Sequence, residues 1–403
     1  MSADAAATTA EELVSTVRAL WPEGEVRLGR QRKPAPASCT AQFAVVPHAR
    51  APRLLIPSEQ PGASTSLRRF STAVSARATM ERLTAALLTR ATRGALLADR
   101  IIVTGGTSGS LAAHLAEIFD GPVTFSLGIG TARVNRKPVL QVFDADGRTL
   151  AFAKLAASER ARAALATEAA CLDRLARRTW THLAPPRLLH RTEWNGMQVL
   201  LLSPLPTTPF RRPRDLWRPP DEAMAELAGA FPGAGGTLGE LPWLAARRWV
   251  ADGLRDRRSG ELLSRSIDAL VDLAAERTWA VGAWHGDWTA WNMCRSGGVV
   301  QLWDWERFQT DVPAGLDRFH YLVNAATSRR GLTPATIRSG LDRAAGGNAL
   351  REIGSPLHVL AGCYLVSVAT RYLTLGEGEG GGVITERAQC TLSALADLVG
   401  RSG

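Results

Sequence analysis

Apolar and polar positions change rhythm several times along the 403-residue chain. Near the start, "PRLLIPS" is a short apolar run suited to a strand, and "SARATMERLTAALLTRA" carries the 3.6-residue period of a helix. "RIIVTGG" then reads as a strand that runs into the helix "SLAAHLAEIF". Strand and helix alternate here, so residues 1–120 are expected to form an α/β region of their own. From residue 121 the period shortens to two. "PVTFSLGIGTARV", "KPVLQVF" and "TLAFAKLA" read as three strands, with "DADGR" as a hairpin turn. The helix "SERARAALATEAACLDRLARR" follows. Two more strands then flank the Asn195–Gly196 turn in "PPRLLHRTEWNGMQVLLLSPLP". Residues 121–206 thus describe a small antiparallel sheet with one long helix. "TTPFRRPRDLWRPP" suits a junction. Residues 207–403 are mostly helical, apart from one loop–strand–loop segment near 284–308. "LGEGEGGG" is a glycine-rich loop before the last helix.

Composition narrows the possibilities. Apolar residues make up 45% of the chain, ordinary for a folded protein, and the length suggests roughly two to three domains. The opening residues lack a basic stretch followed by an apolar run, and no run of about 18 apolar residues occurs, so a cytoplasmic protein without a membrane span is expected. The five cysteines are scattered without a CxxC pair, which argues against a disulfide framework and a zinc site. The net charge is +10, yet no basic run is interleaved with aromatics, so no nucleic-acid partner is expected. The turn "TGGTSGS" resembles that of short-chain dehydrogenases, but no tyrosine has a lysine four residues on. Of the 48 Lys and Arg residues, only Lys33, Lys137 and Lys154 are lysines. A lysine inside a strand therefore calls for a reason.

Lys154 is that lysine. Alternation puts it on one face with Leu150 and Phe152, which makes that face the inward one. A buried ammonium needs an anionic partner. The next helix has Ala161, Leu165, Leu172 and Leu175 in one stripe, with Glu168 among them, 14 residues after Lys154 (168 − 154). The pair is either a structural ion pair or a phosphate-holding lysine and its brace, since an ammonium is a compact point charge suited to phosphate oxygens.

The second constellation is "WHGDWTAWNMCRSGGVVQLWDWERF", residues 284–308. Asp287 and Asn292 lie five apart, and Asp304 follows at the end of "VVQLWD", on one face with Val300 and Leu302. A divalent cation would compensate acids on such a face. Mg²⁺ takes one or two protein carboxylates and completes its shell with water and phosphates, which suits Asn292 and Asp304. Asp287 is then left to accept a proton from a hydroxyl nucleophile.

These two stretches, "HGDWTAWN" and "LWDWE", resemble the signature of the aminoglycoside phosphotransferase and related small-molecule kinase superfamily. The resemblance covers roughly residues 121–400. It implies an α+β, bilobal protein-kinase-like fold, with a sheet-based N-lobe at 121–206 and a helical C-lobe at 207–403, preceded by the extra region. It implies ATP and Mg²⁺ as cofactors. Asp287 would be the catalytic base, and Asn292 and Asp304 the metal ligands. Lys154, paired with Glu168, would hold the α- and β-phosphates, under the glycine turn of Gly128 and Gly130. "LLLSPLP" would meet the adenine with backbone groups near Ser203 and Leu205. His285 would brace the loop, and Asp317 would have a structural role. Arg133 stands where protein kinases place a third glycine, and no Ala-Pro-Glu element follows, which separates the chain from ordinary protein kinases.

Trp288, Trp291, Trp305 and Glu306 either line an acceptor pocket or pack between loop and helices. The charge of +10 disfavours a polycationic acceptor. A sugar, glycan fragment or metabolite alcohol fits better. The alternatives are a peptide Ser/Thr hydroxyl, or a pseudokinase scaffold.

Overall fold

The structure is a computed structural model, and it describes residues 3–30, 37–50, 52–58, 99–129, 138–206, 217–346, 350, 354–378 and 382–401. The chain divides into two compact units, one of Met1–Ala169 with Pro186–Arg211, the other of Ala170–Pro185 with Arg212–Gly403. The expected α+β class is met.

The first unit is built on one nine-stranded sheet. Its strands are β1 (Glu25–Arg30), β2 (Cys39–Val46), β3 (Leu54–Pro57), β4 (Asp99–Thr104), β5 (Thr124–Gly128), β6 (Val139–Phe143), β7 (Thr149–Ala156), β9 (Leu188–Trp194) and β10 (Met197–Leu202); the short β8 (Leu183–Ala184) belongs to the other unit. The order is β1-β4-β2-β3-β5-β6-β7-β10-β9, and every pairing is antiparallel. This corrects the expectation of a separate α/β region at 1–120. The early strands extend the same sheet, because β3 pairs with β5, with Leu54 opposite Gly128. Nor does the chain break into compact units near residue 120.

One core lies beneath this sheet. Helix α1 (Ala3–Leu20) contributes Leu13 and Val17, and α2 (Leu111–Ile118) contributes Leu111 and Leu115. They pack on Phe43, Ile101, Leu127, Val142 and Val199 from the strands. Ser110 caps α2 by accepting the N–H of Ala113 at 3.1 Å. The "TGG" turn before it has Gly105 and Gly106 at positive φ, and a β-carbon on Gly106 would stand 2.5 Å from the nitrogen of Gly24. That glycine serves a close backbone approach. The Asn195–Gly196 turn has φ of 45° and 69°, as a two-residue hairpin requires. The helical stretch 75–91 expected from "SARATMERLTAALLTRA" lies outside the described residues.

The second unit is mainly helical. Helices α4 (Asp221–Ala230), α5 (Pro242–Gly253), α6 (Arg257–Ala274), α7 (Leu316–Arg330), α8 (Pro334–Ala345), α9 (Leu357–Gly376) and α10 (Gly382–Gly400) account for most of it. Helix α3 (Glu159–Leu175) crosses the division between the units. Among the described residues, one helix, α9, is long and apolar enough to cross a membrane by length and composition, but 72% of its apolar window is buried within the fold. It is the central core helix of this unit, in contact with α6, α7 and α10. Between the helices, the short β11 (Gly236–Thr237) pairs with β12 (Thr278–Trp279), β13 (Val281–Trp284) pairs with β16 (Gln309–Pro313), and β14 (Met293–Ser296) pairs with β15 (Val299–Leu302). The candidate chemistry sits in the loops that join these strands.

Candidate functional site

In the first unit, strand β7 presents Ala151, Ala153 and Leu155 to the core beneath the sheet. Lys154 therefore points to the opposite face, a correction to the expected inward side. Small side chains fill the tight core, while the longer ones at Leu150, Phe152 and Lys154 stand on the half-buried face. Helix α3 provides the partner there. The Lys154 Nζ donates to both oxygens of Glu168, each at 2.7 Å. The lysine side chain is 12% exposed and the glutamate 0%. The stripe on α3 places Ala161, Leu165, Leu172 and Leu175 in the interior beside that glutamate.

Four further positions were expected to meet ATP: Gly128, Gly130, Ser203 and Leu205. Gly128 ends β5, paired with Leu54 on one side and Val139 on the other. Gly130 lies outside the described residues. Ser203 donates its N–H to the Arg187 oxygen, and its hydroxyl accepts the N–H of Arg187, both at 2.9 Å. The Ser203 N–H is thus committed within the unit. Leu205 is half-buried in the segment that follows.

In the second unit, the loop after β13 is built around Asp287. Gly286 before it has φ of 77°, and a β-carbon there would stand 2.5 Å from the Arg307 oxygen, so only glycine fits. The Asp287 carboxylate is held from two sides. His320 Nε2 bonds Oδ1 at 3.0 Å, and Asn292 Nδ2 donates to Oδ2 at 3.1 Å. Asn292 also donates to the Asp287 carbonyl oxygen at 3.0 Å. The carboxylate remains 31% exposed, so a ligand can reach it. Burial pushes its pKa up, but the hydrogen bond of His320, with the charge of Arg307, holds it well below the usual carboxylate range.

Two buried residues brace the loop. Asp317, at the start of α7, accepts the N–H of His285 at 2.7 Å and of Gly286 at 3.1 Å. Burial nevertheless pushes its carboxyl up to about 7, against those two hydrogen bonds and the charge of Arg371. His285 accepts the Asp287 N–H on Nδ1 at 3.2 Å, so its Nε2 carries the proton and donates to the Trp303 oxygen at 3.2 Å. Burial pushes His285 down to about 4, so it is neutral at ordinary pH and ties the loop to the end of β15.

Asp304 follows that end in a left-handed conformation, φ 75° and ψ 57°. Trp303 donates its N–H to the Asn292 oxygen at 3.0 Å, which ties the segment carrying Asp304 to Asn292. Among the described residues, no three His, Cys, Asp or Glu side chains gather as a metal group. Asn292 and Asp304, the two expected ligands, could offer one amide oxygen and one carboxylate to a hard cation that keeps water and phosphate ligands.

The tryptophan assignments need correction. Trp288 and Trp305 are 0% exposed. The indole of Trp288 donates to Met293 Sδ at 3.3 Å, and that of Trp305 to the Leu302 oxygen at 2.9 Å. The Trp305 ring also meets the His285 ring edge-on at 4.7 Å. Both form the wall behind the loop. Trp291 is half-buried, and Glu306 is 21% exposed, so these two keep access to a ligand.

Sequence reasoning missed His320 and Arg371. His320 stands three residues after Asp317 in "GLDRFHYL", one turn along the same helix face, and that spacing was the available signal. Arg371 donates to the Gly286 oxygen at 2.7 Å from α9, 85 residues away in the chain, with no local motif to mark it.

No family model matches the chain, and no curated protein matches it. Among solved structures, the chain is similar to a thermostable mutant of aminoglycoside phosphotransferase APH(4)-Ia in complex with ADP and hygromycin B. The TM-score is 0.47 at 14% identity, over 73% of this chain and 98% of the other. It is also similar to spectinomycin phosphotransferase APH(9)-Ia with ADP and spectinomycin, at TM-score 0.38 and 10% identity, over 72% and 97%. A third likeness is to a protein described as a fructosamine-3-kinase from Haemophilus somnus 129PT, at 0.41 and 12%, over 72% and 96%. At these identities and scores the likeness carries no conclusion about chemistry, which has to come from the side chains.

Proposed function

We propose that the chain is an ATP- and Mg²⁺-dependent phosphotransferase acting on a hydroxyl of a small molecule. The observation that carries this reading is the state of Asp287: ionised, reachable, and fixed by His320 and Asn292. Such a carboxylate accepts the hydrogen bond of a hydroxyl and aims its oxygen. The hydroxyl oxygen attacks the γ-phosphorus, the bond to the bridging oxygen breaks with its electron pair leaving on ADP, and the proton passes to Asp287. A carboxylate of depressed pKa takes the proton late, which suits the loose transition state of phosphoryl transfer. Asn292 and Asp304 would hold Mg²⁺, which neutralises phosphate charge when bound. Lys154 would hold phosphate oxygens, with Glu168 fixing its ammonium.

Replacing Asp304 with alanine tests the metal assignment. MgATP is expected to raise the melting temperature of the wild type and to leave that of Asp304→Ala unchanged. An equal Mg²⁺-dependent rise in the variant would remove Asp304 from the metal site.

A further inference from the structure

A carboxylate bonded to an imidazole admits two divisions of labour. Either the histidine is the base and the aspartate orients it, or the aspartate is the base and the histidine orients it. The surroundings of Asp287 and His320 decide between them.

His320 lies on α7, one turn after Asp317, and is 1% exposed. Its Nε2 stands 3.0 Å from Asp287 Oδ1. An ionised carboxylate only accepts hydrogen bonds, so Nε2 carries a proton and donates it. The other nitrogen, Nδ1, is buried, and nothing among the described residues bonds it. Two aromatic rings meet the imidazole edge-on, Tyr364 at 5.9 Å and Trp284 at 6.4 Å. A second proton on Nδ1 would bury both a charge and a donor without an acceptor. Burial lowers the basicity of the ring, and the charges of Arg371 and Arg307 lower it further, against the hydrogen bond and charge of Asp287. The ring is therefore neutral, with one donor aimed at Asp287 and its bare nitrogen in the interior.

Where a histidine is the base of such a pair, the nitrogen away from the carboxylate faces the substrate. Here that nitrogen is closed to solvent, while the Asp287 side chain is 31% exposed. A hydroxyl can reach the carboxylate and not the imidazole. The same helix also fixes the loop backbone, because Asp317 accepts the N–H groups of His285 and Gly286. Further along it, Asn324 Nδ2 donates to the His320 carbonyl oxygen at 2.8 Å. One helix thus sets both the path of the loop and the angle of its carboxylate.

We propose that His320 is a positioning residue: a neutral Nε2–H donor that sets the angle of the Asp287 carboxylate and takes no part in moving the proton. This rests on the phosphotransferase reading above and assigns the base within it. The hydroxyl oxygen bonds the γ-phosphorus, the bond to the bridging oxygen breaks with its electron pair leaving on ADP, and the proton goes to Asp287. It is not passed on to the ring, because Nε2 already holds a proton and Nδ1 is out of reach. It leaves through the exposed edge of the carboxylate.

The test uses the full chain. The nitrogen-15 spectrum of the histidine rings, with His320 assigned by the signal missing in His320→Gln, is expected to show a neutral ring protonated on Nε2 at neutral pH. Asp287→Ala is expected to move that signal. In γ-phosphate transfer from MgATP, His320→Leu is expected to lower kcat roughly 10- to 100-fold, the worth of one hydrogen bond to a charged group, with KM for MgATP unchanged. His320→Gln, which restores an N–H at about the reach of Nε2, is expected to recover most of that loss. A ring protonated on Nδ1, or on both nitrogens, overturns the proposal. So do equal losses in His320→Leu and His320→Gln, which would mean that the ring only fills space, and so does transfer by His320→Leu at the wild-type rate. If the wild type phosphorylates no acceptor, the phosphotransferase reading fails alone. The spectrum and its response to Asp287→Ala then still decide whether His320 is the neutral donor.

Discussion

Asp287 sits in a loop held by buried neighbours, His285, Asp317 and His320. His285 is the clearest case, because its Nδ1 accepts the Asp287 N–H at 3.2 Å, and a proton there would break that bond. Its pKa is lowered from 6.5 to about 4 by burial. The unfolded chain therefore takes up the proton first as pH falls. The stability this group contributes is fully present above the unfolded value of 6.5, declines down to about 4, and is flat below that. By linkage the loss is on the order of 3 kcal/mol. Asp317 runs the other way: raised from 3.8 to about 7, it is protonated more readily in the folded chain, so its contribution falls as pH rises through that window. The two partly cancel in the wild type. Urea unfolding of wild type and His285→Asn across this range isolates the histidine: the stability advantage of the wild type is expected to shrink as pH falls from 6.5 towards 4. A gap that stays constant with pH would contradict the buried neutral histidine.

At the scale of elements, the Lys154–Glu168 pair joins strand β7 to helix α3. Helical spacing revealed Glu168, since only one residue of an apolar stripe was charged. Strand alternation revealed that Lys154 needed a partner but misassigned its face, because both sides of this sheet are covered and apolar residues occur on each. The energetic consequence follows from burial. Lys154→Met leaves a fully buried carboxylate without its ammonium, expected to cost about 3–5 kcal/mol of stability. The double variant Lys154→Met/Glu168→Gln is expected to lose less than that single one, because no charge remains to be buried. Calorimetric melting of the single and double variants reads this directly. Additive losses would mean that the two side chains act independently.

Across the whole molecule, the elements were easier to read than their arrangement. Strand periodicity says which residues share a face but not which strand lies alongside, so the pairing of β3 with β5 was invisible, and the early strands looked like a domain apart. The meeting of Asp287 with Asn292 could be anticipated because the contact is local: both come from one loop, and Asp304 from the strand end that follows. The residues that tune it come from α7 and α9, and long-range packing leaves no spacing to find. Burial also sorted the tryptophans, since an indole in a catalytic loop looks the same in sequence whether it faces a ligand or, like Trp288, the core. The proposed role of Asp287 as the base ties these parts together. Transfer of labelled γ-phosphate from MgATP to an acceptor, by the full chain and by Asp287→Asn, measures it. Turnover is expected to fall about 10²- to 10⁴-fold in the variant, with MgATP binding retained. Transfer by Asp287→Asn at the wild-type rate would contradict it.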